Sequence, residues 1–207
     1  VDILDAITGA LAPPLCASCG RACRPDAVLC NRCGRRLAAA EPLLGKGPPG
    51  LDRAWSSAPH EDVARNLVTA LKFRRLLPVA ELMAERIHWL CPAHMLSGAV
   101  VPVPASPSRL RSRGFDPAGE LAAALAERLD AALEPCLVRL GRGRQVGRRR
   151  AQRLGRPPRI EARAPVPRSV LLVDDVLTTG ATLSACGKAL RAAGAARVVA
   201  VTFARRL

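Results

Sequence analysis

The sequence predicts an α/β fold, a parallel sheet with flanking helices, preceded by a small cysteine-rich module. Three observations predict it. Residues 170–201 run from a short apolar strand through a helical segment to a second apolar strand, an order that implies parallel strands joined by right-handed crossovers. Upstream, Val63, Leu67 and Leu71 form one helical stripe and Val79, Met83, Ile87 and Leu90 another. Nearer the start, residues 16–34 carry two C-x-x-C-G units.

Taken in order, residues 2–12 predict a short helix stopped by Pro13 and Pro14. In the cysteine units, Cys16/Cys19 and Cys30/Cys33, the glycine after each second cysteine permits a tight turn that aims backbone N–H groups at the thiolates. Together they offer four sulfurs to a tetrahedral Zn²⁺, a structural site with every position filled. Cys23 is a fifth thiol able to replace one of the four; reduced turns, one disulfide and an iron–sulfur site are the other readings. Cys91, Cys136 and Cys186 are expected to pack rather than ligate. Residues 41–50, EPLLGKGPPG, read as a turn-rich linker, which divides the chain into a finger module, 1–45, and an α/β domain, 46–207.

Within the second part, 99–103 is a short strand, and Asp116-Pro117 caps a helix whose Leu121, Leu125 and Leu129 share a face. Residues 139–168 hold eleven arginines and no apolar period, the pattern of a loop or hairpin. Residues 170–173 form a strand, 182–193 a helix closed by Gly194, and 198–201 a further strand.

Composition bounds the function. The 207 residues are 49% hydrophobic and carry 32 basic against 17 acidic side chains, a net charge of +15. All the basic residues but Lys46, Lys72 and Lys188 are arginine. Such a surface attracts phosphates and nucleic acid. Aromatic residues are 2% of the chain and tyrosine is absent, so nucleic-acid contact through the arginine-rich segment would be mainly with phosphates, hence sequence-independent. No stretch approaches the ~20 apolar residues of a membrane span. The acidic, amphipathic start lacks the pattern of a secretory signal, so a cytoplasmic protein is expected.

The stretch LLVDDVLTTGATL, 171–183, places two adjacent carboxylates, Asp174 and Asp175, at the end of an apolar strand. Ligands of open parallel sheets bind at that edge. The following helix start offers free N–H groups and a positive dipole end to a phosphate. Gly180 lets the backbone approach closely, and Thr178, Thr179 and Thr182 add hydroxyls. A sugar 5-phosphate with two free ring hydroxyls fits both halves. No G-K-[ST] occurs, which excludes a nucleotide-binding P-loop.

These thirteen residues resemble the motif by which type I phosphoribosyltransferases bind phosphoribosyl pyrophosphate (PRPP). The resemblance implies that Asp174 and Asp175 hold the ribose 2- and 3-hydroxyls, and that Thr178, Thr179, Gly180, Ala181 and Thr182 hold the 5-phosphate. With the cysteine pairs, ALKFRR at 70–75 and VPVPASPSRLRSRGF at 101–115, the order of motifs is that of the ComF family, related to the GntX proteins of gluconate utilisation. One departure is visible: Asp116 and Pro117 stand where that family has an Asn-Gln pair.

The resemblance implies a type I phosphoribosyltransferase-like sheet behind a zinc knuckle, PRPP and Mg²⁺ as ligands, and a role in DNA uptake with single-stranded DNA and uptake proteins as partners. Phosphoribosyl transfer expels pyrophosphate from C1, so cations are expected around the leaving group. Arg113 and Lys72, with Arg109 beside them, are the candidates. The competing expectation is a non-catalytic nucleic-acid-binding adaptor whose ribosyl-phosphate pocket is vestigial.

Overall fold

The computed structural model describes residues 14–140, 158–163 and 165–207. The helix expected over 2–12 and most of the arginine-rich segment, including Arg148 to Arg150 and Arg153, lie outside the described residues.

In chain order the elements are α1 (Asn31–Ala38), β1 (Leu43–Lys46), β2 (Arg53–Pro59), α2 (Asp62–Arg74), α3 (Pro78–Leu90), β3 (Ala99–Pro102), α4 (Pro107–Arg113), α5 (Pro117–Leu129), β4 (Leu137–Arg139), β5 (Ile160–Ala162), β6 (Ser169–Leu177), α6 (Ala181–Ala192) and β7 (Arg197–Arg205). Five strands form one sheet in the order β1-β2-β7-β6-β3. β2, β7, β6 and β3 are parallel, and β1 adds an antiparallel edge. β4 and β5 make a separate antiparallel ribbon at the two ends of the arginine-rich segment.

Pleat alternation gives the sheet two covered faces. Leu171, Val173, Val199 and Val201 pack with Leu67 and Leu71 of α2, Met83 and Ile87 of α3, and Leu121 and Leu125 of α5. Val170, Leu172, Val198 and Ala200 pack with Leu183, Cys186 and Leu190 of α6 and with Leu137 of β4. Both helical stripes therefore face the core, except that Leu90 stands largely exposed at the end of α3. Asp116 caps α5 as expected, accepting from Ala118 N–H at 3.2 Å with Pro117 in the first turn.

Four features differ from the sequence reading. The expected linker is structure: β1 pairs Leu43 with Ser56 through to Lys46 with Arg53, straddling the division set between 45 and 46. The following turn packs on α6, where Ser184 Oγ donates to Pro49 O at 2.8 Å. β2 has no apolar alternation because Ser56 and Ser57 are both buried; Ser56 Oγ bonds Thr202 Oγ1 at 2.7 Å and Ser57 Oγ donates to Phe203 O at 2.6 Å. β6 does not stop before the aspartates. Its register continues through Asp174 opposite Thr202 to Leu177 opposite Arg205. Finally, α4 occupies a stretch with no apolar face, and none of its residues is buried.

The cysteine module shares the main core. Cys16, Ala17, Cys33 and Leu37 are buried in one cluster with α2 and α3. Polar contacts reinforce the join: Arg36 pairs with Asp62 at 2.7 Å, Asn66 Nδ2 donates to Ser18 Oγ at 3.2 Å, and Arg74 donates to Ala17 O at 3.1 Å.

Candidate functional site

At the carboxyl edge of the parallel strands, adjacent residues of an extended strand point to opposite faces. Asp175 therefore turns toward α2, where Lys72 Nζ lies 2.8 Å from its Oδ1. Asp174 turns toward α6, where its charge reaches Cys186. Pleating thus separates two carboxylates that the sequence places side by side. They stay coupled: Asp174 Oδ1 accepts the Asp175 N–H at 2.8 Å. Burial, and then the Asp175 charge, push the Asp174 carboxyl well above the usual carboxylate range.

Past Leu177 the chain turns into α6. Thr178, Thr179 and Ala181 are exposed and Thr182 is half-buried, while Gly180 is buried in the left-handed region with φ +74°. A Cβ on Gly180 would meet Pro48 Cγ at 2.7 Å, so the turn after β1 backs this loop closely. Gly180 gives α6 no side-chain cap, and Thr179 Oγ1 lies a long 3.5 Å from Ala181 N–H. A helix start left so open is suited to an anion.

Arg113 is brought to the end of α2 that carries Lys72. Lys72 lies in the last turn of α2, and the residue after it, Phe73, carries the Arg113 guanidinium 5.1 Å above its ring centroid. The reciprocal contact is Arg75 over Phe115, at 5.6 Å. Arg109 stands exposed on α4. Asp116 is tied down as well as capping, accepting from Ala105 N–H at 3.3 Å. Burial pushes its carboxyl up despite those bonds.

Two participants have no signal in the sequence. His60, at the end of β2, donates its N–H to Arg205 O at 2.7 Å. Burial, and then the Lys72 charge, hold its imidazole below the ordinary histidine range. The Gly47–Gly50 turn behind Gly180 reads locally as a linker, because its packing partner lies far along the chain.

Cys16, Cys19, Cys30 and Cys33 converge as their spacing predicts, with all four sulfurs within 4.8 Å of one another. Cys19 and Cys30 Sγ are 3.8 Å apart. A tetrahedron with metal–sulfur bonds of ~2.3 Å has edges of ~3.8 Å, so the four are positioned to hold a metal ion. Burial opposes ionisation of Cys16, yet N–H groups of Cys30, Cys19 and Ser18 outweigh it and bring the thiol to about 6. Cys23 is engaged elsewhere: its Sγ donates toward Pro14 O at 3.3 Å and Ala27 O at 3.2 Å, and burial raises its pKa. Cys91 and Cys186 are buried packing thiols and Cys136 is half-buried; burial pushes Cys91 up to about 12.

Comparison with known proteins gives the family. The family model of the phosphoribosyl transferase domain matches residues 110–207. The chain is 31% identical over 214 residues to DNA utilization protein YhgH of Salmonella typhimurium, covering 93% of this chain and 91% of that one. The protein of the same name in Escherichia coli K12 is 30% identical over 210 residues, with the same coverage of 93% and 91%. Competence protein ComFC of Streptococcus pneumoniae is 35% identical over 108 residues, 51% of this chain and 47% of that one. Among the described residues, no helix is long and apolar enough to cross a membrane.

Proposed function

Since the chain belongs to the ComF family, with its phosphoribosyltransferase-like domain, we propose that it binds PRPP at the carboxyl edge of its sheet and acts in the handling of incoming DNA. The observation that carries the first part is the join of a carboxylate pair to an open helix start on one continuous segment. Asp174 and Asp175 take the ribose hydroxyls; Thr178, Thr179, Gly180, Ala181 and Thr182 hold the 5-phosphate. The second part is supported by what the relatives are called, and by the net charge of +15. DNA-uptake proteins and single-stranded DNA are the partners this reading implies, in the cytoplasm.

Lys72 and Arg113 lie where pyrophosphate would leave. Mg²⁺ carried on PRPP oxygens would supply neutralisation of the leaving group, and the carboxylate pair offers the hard oxygen ligands it favours. With a nitrogen acceptor in place, its lone pair attacks C1 and the C1–O bond breaks with its electrons going to pyrophosphate. This chain's part is to orient the sugar and stabilise the departing charge. In the cysteine module, Zn²⁺ is the metal that best fits four thiolates with no open position.

The second reading, a DNA-binding adaptor that no longer uses its sugar pocket, is favoured by the same charge. Titration calorimetry with PRPP and Mg²⁺ separates the two. Saturable binding that Asp174→Asn weakens supports the ligand site; heat indistinguishable from dilution at millimolar PRPP leaves the adaptor.

A further inference from the structure

We infer that Phe73 is a stacking platform for an unpaired base of single-stranded DNA. This rests on the DNA-linked reading above and gives that reading a place on the molecule. Phe73 is 71% exposed on a chain with three phenylalanines, two tryptophans and no tyrosine. An aromatic ring left in water serves no packing purpose here. The Arg113 guanidinium covers it at 5.1 Å from the centroid, so a base on the open face completes a cation–ring–base stack. The Arg75–Phe115 contact at 5.6 Å fixes the end of α2 against the start of α5, which holds the ring in place before any ligand arrives.

The surroundings favour a polyanion. α4, next to the ring, buries none of its residues and presents Arg109 and Arg111 to solvent. Phosphates on either side of a stacked base would meet these guanidinium groups. Trp89 provides the contrast. It is equally bare, at 73%, but stands in a groove between the cysteine module and α3 lined by four acids, Asp26, Glu81, Glu85 and Glu120, against one arginine, Arg86. That balance of charge suits a phosphate backbone less well. Of the two exposed rings, the one framed by arginine is the one suited to DNA. Phe73 also directly follows Lys72, whose ammonium holds Asp175, so a strand seated here runs beside the sugar-phosphate site.

Fluorescence anisotropy of a labelled oligothymidylate, titrated with the full chain, tests this. Phe73→Ala should weaken binding roughly tenfold, with an unchanged salt slope because no phosphate contact is lost. Phe73→Trp should bind as the wild type does. In a Trp89→Phe background, the new tryptophan's fluorescence should be quenched on binding. Replacing Arg109 and Arg111 by alanine should instead flatten the salt slope, by about 0.7 per arginine. A blunt duplex of the same length should be insensitive to Phe73→Ala. If the wild type binds the oligonucleotide and Phe73→Ala binds it equally well, the platform is wrong and the DNA-linked reading stands. If the wild type does not bind it at all, that reading falls and the platform with it.

Discussion

Lys72 Nζ sits 2.8 Å from Asp175 Oδ1, with the lysine side chain 21% exposed and the aspartate 7%. Asp174, its neighbour, carries its charge against burial and against the Asp175 carboxylate, with the Lys72 charge only partly offsetting them. The two carboxylates of the acidic pair are therefore unequal, and their amide variants should differ in sign.

Asp175→Asn strands an ammonium that is mostly withdrawn from water. The cost should fall between that of an exposed and a fully buried pair, roughly 1–3 kcal/mol. Asp174→Asn should instead raise stability at neutral pH. A carboxyl whose folded pKa is raised contributes stability when protonated, and this is lost as pH climbs from the unfolded value toward the folded one. The amide removes that loss. Each kcal/mol should move the melting temperature by about 2–4 °C, readable by calorimetry of the unliganded protein at pH 7. Two shifts of the same sign would contradict the pairing.

Ribose hydroxyls donate best to an ionised carboxylate. If Asp174 must lose its proton to accept them, PRPP binding should release protons. Affinity should rise with pH until the raised Asp174 value is passed, and then level off. Calorimetry in buffers of different ionisation enthalpy reads the proton count directly; a value of zero throughout would remove Asp174 from the ribose.

Purified under reducing conditions, the protein should carry about one zinc. Serine at Cys16, Cys19, Cys30 or Cys33 should lower that content, whereas Cys23→Ser should keep it, because the Cys23 thiol already serves two carbonyls. Metal binding and folding are coupled in small modules of this kind. Here the loss should spread through Arg36–Asp62 and Asn66–Ser18 into α2. Hydrogen exchange over 62–74 should quicken after chelation; unchanged protection there would show that the module is independent of α2.

Gly187 is hemmed in by the turn after β1: a Cβ there would meet the Gly50 carbonyl carbon and oxygen, each at 2.8 Å. Backbone cannot move aside as a flexible side chain can. Gly187→Ala should cost about 1–3 kcal/mol, the usual penalty for overpacking, and should lower PRPP affinity by shifting the support behind Gly180. Urea unfolding and calorimetry measure the two effects separately.

The elements legible in the sequence were those whose signal is local. Val63, Leu67 and Leu71 declare α2 by spacing, and Asp116-Pro117 marks the start of α5. The cysteine pairs announce their own convergence. What escaped depends on distant partners. Ser56 and Ser57 look unfit for an interior strand until Thr202 and the Phe203 carbonyl satisfy them. Lys72 stands out in the sequence as a lysine among arginines, but its pairing does not, since nothing near residue 72 points to residue 175. Likewise Phe73 reads as one more apolar residue of a helix until its exposure is known.

The bond between Ser56 and Thr202 spans 146 positions. Until β7 has been synthesised, β2 has β1 as its one neighbour in the sheet, and a two-stranded ribbon is marginal in water. Assembly of the sheet thus waits on loop closure over most of the chain, the circumstance that makes folding slow and leaves strand edges open to other molecules. The cysteine module faces no such delay, since its four thiols lie within eighteen residues, Cys16 to Cys33 inclusive. A newborn chain should therefore gather its four thiols well before it completes the sheet edge that carries Asp174 and Asp175, with strand edges exposed in the interval.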